Sequence, residues 1–237
     1  MSITQNIAEI RSRMAAAAVR SGRKPEDILL IAVTKLHEPD EIEEALAAGI
    51  TDIAENKVQE IQKKFDQIHS PANWHLIGHL QTNKVKYIID KVVMIHSVDS
   101  LKLAQEIDKR AKAAGRTMDV LLQVNAAHEE SKFGLDPKDL PQVMADILAE
   151  CPNVRIRGLM HIAPYAEDPE EVRPYFREVK ELYETLKKVE HPNADFTCLS
   201  MGMSHDFETA IEEGANIIRV GTSIFGERDY SKKMGGM

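Results

Sequence analysis

The sequence predicts a single-domain (β/α)8 barrel, an α/β fold in which eight parallel strands close into a cylinder inside a ring of helices. Three observations lead to this prediction. Eight short apolar, β-branched runs alternate with amphipathic stretches, no Pro-, Gly- or Ser-rich linker interrupts them, and polar residues follow the apolar runs. We therefore treat residues 1–237 as one domain, and a doubly wound parallel sheet is the alternative topology.

The predicted elements follow one another in regular order. After a helix at 3–20, the predicted strands are 28–34, 52–54, 74–77, 92–96, 120–125, 154–160, 196–200 and 217–220. The predicted helical segments are 39–48, 57–68, 83–90, 100–114, 137–150, 169–189 and 205–213. A count of eight strands favours closure into a barrel over an open sheet.

Two segments of the chain, 43–53 and 208–218, repeat one another. Both have the pattern Glu-x-Ala-x-x-x-Gly-x-x-x-Ile, which is typical of a helix that ends on glycine before a strand. We expect Gly49 and Gly214 to adopt the left-handed conformation that ends each helix. Any two helix–strand units can share such a pattern, so the repeat supports the architecture and says nothing of function.

Charge and composition exclude several classes of function. The formal net charge is −8, and lysine and arginine are scattered along the chain, so neither nucleic acid nor an anionic membrane is an expected partner. Cys151 and Cys198 stand far apart without metal-ligand spacing, which predicts neither a disulfide nor a zinc site. The first helix lacks an apolar signal or anchor segment, so we expect a cytoplasmic protein, with 231–237 as a disordered tail.

Lys35 is the first candidate functional residue. It ends the apolar run ILLIAVTK, and in a barrel the residues that follow each strand surround the functional end. Burial there would lower the pKa of a lysine ammonium from about 10.4 and favour an amine suited to Schiff-base formation. The alternative is a lysine that extends from a strand end into solvent, and position alone favours that alternative.

The loop after the eighth strand, VGTSIFG, predicts an anion site and so favours the functional interpretation of Lys35. Its small residues, Gly221 and Thr222 among them, expose backbone N–H groups and a hydroxyl, and barrels commonly bind phosphate in this loop. We expect Ser200 and Ser204 to form the adjoining wall. A helix-capping role is an equal alternative for Ser204.

Several other polar residues of the predicted rim have two interpretations each. Arg219 lies within an apolar strand and needs an acceptor, which is either a bound heterocycle or carboxylate or an inward carboxylate such as Glu55. Asn56 and Asn125 bind a ligand or cap helices. His161 follows the sixth strand, where it either contacts a ligand or is a satisfied polar residue of the rim.

Common catalytic and metal-binding motifs are absent from the sequence. The nine histidines show no HExxH pattern, and the chain contains no Walker loop, no GxGxxG and no Gly-x-Ser-x-Gly. Metal, dinucleotide and serine-hydrolase functions therefore lack their usual support.

Taken together, the motifs give the chain a specific resemblance. The sequence resembles the YggS/PROSC family of pyridoxal phosphate homeostasis proteins, which are similar to the barrel domain of bacterial alanine racemase. The motifs that carry the resemblance are IAVTK at 31–35, ENKVQE at 55–60, WHLIGHLQTNK at 74–84, NAAHEESKFG at 125–134, RGLM at 157–160, SMGMSHDFETAI at 200–211 and RVGTSIFG at 219–226.

The resemblance implies a fold of the type III pyridoxal 5′-phosphate (PLP) class and a set of cofactor contacts. Lys35 matches the lysine that forms the Schiff base, and Ser200, Gly221 and Thr222 match the phosphate contacts. Arg219 matches the arginine that faces the pyridine nitrogen, where a cation disfavours ring protonation and makes the ring a weaker electron sink. The resemblance also places Lys132 near the cofactor hydroxyl. The family usually has Phe-Gly where this chain has Ile-Ala at 53–54.

The resemblance also bears on catalysis. A two-base racemase needs a proton-transferring group on each face of the cofactor, and alanine racemase takes its second base, a tyrosine, from an extra domain. Because no tyrosine of this chain can be assigned that role, we predict a non-catalytic protein that holds PLP and buffers or delivers it, with apo PLP-dependent enzymes as candidate recipients. The expected state is a monomer or weak homodimer. The alternatives are a single-barrel amino-acid racemase that uses His161, and a PLP-free Schiff-base lyase.

Overall fold

Eight parallel strands form a closed barrel in the computed structural model, which describes residues 2–127 and 133–226. Each strand pairs with the next, and the last closes on the first, with Leu29 opposite Ile217 and Ile31 opposite Arg219. The strands are β1 (Leu29–Val33), β2 (Asp52–Glu55), β3 (Asn73–Leu76), β4 (Met94–Val98), β5 (Met118–Val124), β6 (Val154–His161), β7 (Ala194–Ser200) and β8 (Ile217–Val220). The predicted barrel is confirmed, and the open doubly wound sheet is wrong.

The helices pack outside the barrel. They are α1 (Ile3–Arg20), α2 (Pro39–Ala47), α3 (Val58–Lys64), α4 (Leu101–Ala113), α5 (Leu140–Glu150), α6 (Arg173–Leu186), α7 (Phe207–Glu212) and α8 (Thr222–Phe225). The prediction of a helix at 83–90 is partly wrong, because the connection after β3 is a 3-10 helix at Thr82–Tyr87. This segment is rich in β-branched and aromatic residues, which are weak helix formers.

Helix α1 shows how the sequence sets both ends and the buried face of an element. Ser2 and Gln5 form a capping box, in which the Gln5 amide donates to Ser2 Oγ at 3.2 Å and the Ser2 amide donates to Gln5 Oε1 at 3.0 Å. The buried residues Ile7, Ile10 and Met14 recur at helical spacing on one face. That face completes the outer layer beside α7 and α8.

The two repeated segments end their helices as predicted. Gly49 follows α2 with φ of +87°, and Gly214 follows α7 with φ of +104°. Both angles lie in the left-handed region that glycine adopts without steric cost. The chain can therefore turn directly from each helix into the next strand.

Strand alternation decides which side chains face the barrel interior. Ile31 and Ile217 belong to the apolar cluster inside the barrel, whereas their neighbours Ala32 and Ile218 pack in the layer between strands and helices. Side chains two residues apart share a face, so Arg219 faces inward with Ile217. By the same alternation, Glu55 faces outward with Ile53.

Two predictions fall on residues outside the described ranges, namely the cofactor contact by Lys132 and the disordered tail at 231–237. Within the described ranges, no helix has the length and apolar character needed to cross a membrane.

Candidate functional site

A cavity of about 300 Å³ opens at the carboxyl ends of the strands, a volume typical of small-ligand sites. It brings together Lys35, Asn56, Arg219, Gly221 and Thr222, which are five of the six residues predicted to bind the cofactor. The rest of its lining is formed by Val33, Ile77, Ile162, Met203, Ser204 and His205. A second cavity of about 320 Å³ adjoins the first and shares Asn56, Ile77 and Ile162 with it.

Lys35 follows β1 directly and is half-buried at the edge of the cavity. The next residue, Leu36, has φ of +67°, a left-handed conformation that is unfavourable for a branched side chain. The backbone amide of Leu36 donates a hydrogen bond to the Glu60 carboxylate, which is among the causes of the lowered pKa of that carboxyl. The unfavourable conformation of Leu36 is therefore stabilised by a hydrogen bond to Glu60, and this bond fixes the backbone directly after Lys35.

A buried cluster of charges supports this strand end from outside the barrel. The Lys64 ammonium donates to the Thr34 carbonyl oxygen at 2.9 Å and to Glu55 Oε1 at 2.8 Å, and it lies 2.8 Å from Glu60 Oε2. The side chains of Lys64 and Glu55 are 1% and 0% exposed. Burial raises the pKa of Glu55, and the nearby Lys64 ammonium opposes that rise. The cluster ties the residue before Lys35 to α3.

Arg219 lies on the floor of the cavity and is 3% exposed. Its Nη1 donates to Ser200 Oγ at 2.5 Å, and its Nη2 donates to the His161 carbonyl oxygen at 2.9 Å. Burial lowers the pKa of the guanidinium to about 10, and the charge of Asp206 opposes the shift. Arg219 therefore remains a cation at neutral pH.

The suggestion that Arg219 pairs with Glu55 is wrong. The two residues lie on opposite faces of the barrel wall, because Arg219 faces inward and Glu55 faces outward. Glu55 pairs with Lys64 instead.

The loop after β8 forms one wall of the cavity, with hydroxyls on two segments. Thr222 and Ser204 both line it, and the Ser223 amide donates to Ser204 Oγ at 3.4 Å, which ties the two loops together. Gly221 lies close to β1, because a Cβ added there would stand 3.2 Å from the Val33 carbonyl oxygen. The helix-capping role considered for Ser204 is not observed, since the residue at the N-cap position of α7 is Asp206.

Ser200 departs from its predicted place in the phosphate wall. It ends β7 and is fully buried. Its hydroxyl oxygen accepts from Arg219 Nη1 and lies 3.1 Å from His96 Nδ1. The side chain points into the barrel interior beside Arg219, so of the two serines expected in the cavity wall only Ser204 lines this cavity.

Asn56 lines the cavity and carries a buried polar atom without a described partner. Its Oδ1 is buried and has no hydrogen-bond partner among the residues that the structure describes. The residue at the cap position of α3 is Lys57, so the capping interpretation of Asn56 does not apply. A buried acceptor of this kind is expected to meet a donor from a ligand or water. Asn125 lines the adjoining cavity instead.

His161 faces away from the cavity. Its ring lies edge-on to Phe176 of α6, with centroids 6.3 Å apart, and its Nδ1 is 2.9 Å from the Val124 carbonyl oxygen. Strand alternation explains this orientation: Met160, one residue earlier, faces the interior, so the His161 side chain faces outward. His161 contributes to the site through its backbone carbonyl, which accepts a hydrogen bond from Arg219.

Sequence reasoning did not assign two histidines to the site. His75 on β3 and His96 on β4 both lie inside the barrel. Both are buried, at 3% and 0% exposure, and His96 Nδ1 lies 3.1 Å from Ser200 Oγ. Their inward direction could have been read from strand alternation in WHLI and MIHS, but their contact requires the register between strands.

Comparisons with known proteins agree with this geometry. Residues 2–229 match the family model of the alanine racemase N-terminal domain. An alanine racemase of Clostridium difficile has the same fold, with a TM-score of 0.70 at 14% identity over 95% of this chain and 56% of that chain. Fold and site thus define a barrel of the alanine racemase N-terminal domain class.

Two relatives are much more similar. A protein of Aquifex aeolicus named pyridoxal phosphate homeostasis protein is 46% identical over 97% of this chain and 100% of its own length. The structure of PipY from Synechococcus elongatus with PLP bound matches with a TM-score of 0.81 and 36% identity, over 95% of this chain and 100% of that one. The chain belongs to the family of pyridoxal phosphate homeostasis proteins.

Proposed function

We propose that this protein binds PLP, holds it as a Schiff base on Lys35, and buffers or delivers it inside the cell without using it for catalysis. The observation that carries the proposal is the convergence on one cavity of an amine, a buried guanidinium and two loop hydroxyls, on Lys35, Arg219, Ser204 and Thr222. Relatives with the homeostasis name match this chain over nearly their full length.

The residues present fit PLP chemically. The hydroxyls of Ser204 and Thr222 supply donors for a phosphate group. Asn56, whose Oδ1 lacks a partner among the described residues, lines the same cavity. When bound, PLP supplies an aldehyde that a lysine amine can capture reversibly.

Arg219 sets the electrostatic character of the site. A guanidinium beside a heterocyclic nitrogen opposes protonation of that nitrogen, because two cations would then lie close together. The Ser200 hydroxyl and the His161 carbonyl orient the guanidinium. A site of this kind holds the cofactor while disfavouring reactions that need strong electron withdrawal by the ring.

The arrangement of His161 also favours binding over racemisation. The racemase alternative requires His161 as a second base, but its ring packs toward α6.

The test is to load the purified protein with PLP and follow the cofactor in two assays. We expect a yellow complex that activates an apo PLP-dependent enzyme, without solvent deuterium entering the Cα of added amino acids. Lys35→Ala is expected to lose the complex, whereas Lys102→Ala, at an exposed position on α4, keeps it. Uptake of no PLP, or rapid deuterium exchange, would contradict the proposal.

A further inference from the structure

A continuous chain of hydrogen bonds crosses the barrel interior beneath the cavity. It begins at Arg219, whose Nη1 is 2.5 Å from Ser200 Oγ, and continues over 3.1 Å from that oxygen to His96 Nδ1. His96 Nε2 lies 3.0 Å from His75 Nδ1, and His75 Nε2 lies 2.9 Å from Asp52 Oδ1. Five side chains on five different strands therefore form one chain.

With both histidine rings neutral, the two ends of this chain fix the direction of every hydrogen bond. Arg219 has only donors and an ionised Asp52 has only acceptors. His75 must therefore donate from Nε2 to Asp52, which leaves its Nδ1 to accept from His96 Nε2. His96 then accepts at Nδ1 from the Ser200 hydroxyl, and Ser200 accepts from Arg219. Both neutral histidines carry their hydrogen on Nε2, and each link has one donor and one acceptor.

The surroundings of both ends favour this single arrangement. Burial acts to raise the pKa of Asp52, but hydrogen bonds from His75, Thr51 and Asn73 outweigh it and lower the pKa. Burial is the main cause that lowers the pKa of His96 well below its ordinary value of 6.5, and the nearby His75 and Arg219 act in the same direction. An ionised carboxylate thus lies at one end of the chain, a cation at the other, and a neutral His96 between them.

The chain links Arg219 to the Asp52 carboxylate without direct contact between the two charges. A hydrogen-bonded series polarises along its length, so the negative end orients each donor in turn. A carboxylate in direct contact would instead neutralise the field of the guanidinium toward the cavity. Three intervening side chains, those of His75, His96 and Ser200, therefore fix the guanidinium while its positive charge still faces the cavity.

We propose that Asp52, His75 and His96 are positioning residues, which act through Ser200 to hold the Arg219 guanidinium in one orientation on the floor of the cavity. The proposal rests on the proposed function, because the Arg219 cation would face the ring of bound PLP. The hydrogen bonds from which it is argued involve only residues of this protein.

The first test uses the protein without PLP. Nitrogen-15 NMR of the imidazole rings at pH 7.5 should show His75 and His96 as neutral Nε2–H tautomers. The guanidinium hydrogens of Arg219 should give separate, slowly exchanging signals, since bonds to Ser200 and His161 hinder rotation. An Nδ1–H tautomer at either histidine, or averaged Arg219 signals, overturns the proposal whether or not PLP binds.

The second test interrupts the chain. We expect His96→Leu to average the Arg219 signals and to weaken PLP binding about ten-fold or more. His96→Gln retains a donor and an acceptor, so it should restore most of both. His191→Leu serves as the control, because His191 precedes β7 and takes no part in this series of hydrogen bonds.

The outcomes of this second test separate the two proposals. Unchanged Arg219 signals and PLP affinity in His96→Leu refute the positioning role, although PLP still binds. If the wild-type protein binds no PLP, the proposed function fails, and the tautomers and Arg219 signals still decide the positioning role. If His96→Leu does not fold, the histidine tautomers and Arg219 signals of the wild-type protein still decide the positioning role.

Discussion

Replacement of Lys64 by methionine should destabilise the fold far more than a typical lysine substitution. The ammonium makes three close contacts of 2.8–2.9 Å, to Thr34, Glu55 and Glu60. Methionine keeps most of the side-chain volume but leaves the Glu55 carboxylate, which is 0% exposed, without its counter-ion. Breaking a buried ion pair from one side costs about 3–5 kcal/mol.

The loss should depend on pH with a definite sign. Burial already raises the pKa of folded Glu55 despite the Lys64 ammonium. Removal of that cation raises it further, so the folded variant binds a proton at Glu55 more tightly than the unfolded chain does. Because Glu55 has the same pKa in both unfolded chains, the stability of the variant relative to wild type falls as pH rises from the folded wild-type pKa of Glu55 to its higher pKa in the folded variant. The deficit at pH 8 should exceed the deficit at pH 5.5.

Urea denaturation at both pH values measures this effect. Lys63→Met is the matched control, because Lys63 is the preceding residue of α3 and its side chain is 60% exposed; we expect it to change stability by less than about 0.5 kcal/mol. Adding Glu55→Gln to Lys64→Met should recover part of the loss, since no charge then remains buried. A loss below about 1 kcal/mol that does not vary with pH would refute the assignment of a buried ion pair.

Three further predictions concern the site and the barrel. The double variant Ser204→Ala/Thr222→Ala should weaken PLP binding about 100-fold, roughly 3 kcal/mol for two hydrogen bonds to a charged group. Its affinity for pyridoxal, which lacks the phosphate, should stay the same, and an equal loss for both ligands would argue against a phosphate wall. Gly158→Ala should fail to fold or lose several kcal/mol by urea titration, because its φ is +143° and a Cβ would overlap the Cys198 carbonyl oxygen; a stable variant would disprove that contact. Burial raises the pKa of Cys151 to about 11, so a thiol reagent at pH 8 should modify it only in denaturant, and prompt reaction in the native protein would contradict this.

The architecture could be predicted because it follows from local patterns. Each strand, four to eight residues long, overlaps one of the predicted apolar runs, and Gly49 and Gly214 mark helix ends by their position alone. The placement of Lys35 at a cavity also follows, since any residue directly after β1 lies at the carboxyl end of the barrel.

The errors about partners at the site have a common physical cause, namely the direction of side chains. Glu55 and Arg219 were considered as partners, although strand alternation places them on opposite faces. Ser200 and Ser204 are both serines near β7, and only the path of the loop shows that Ser204 lines the cavity.

Contacts between side chains on different strands lay beyond the sequence. The contact between His75 and His96 depends on the register of β3 against β4. Such a register arises from the pairing of whole strands, and no local pattern encodes it.

The attachment of PLP to Lys35 is the central claim, and peptide mass spectrometry tests it most directly. The protein is incubated with PLP, reduced with borohydride, digested and compared with an unreduced sample. We predict one phosphopyridoxyl addition, on the peptide that contains Lys35, and none in Lys35→Ala. Addition at a different lysine, or no addition to a protein that binds PLP, would contradict the assignment of Lys35.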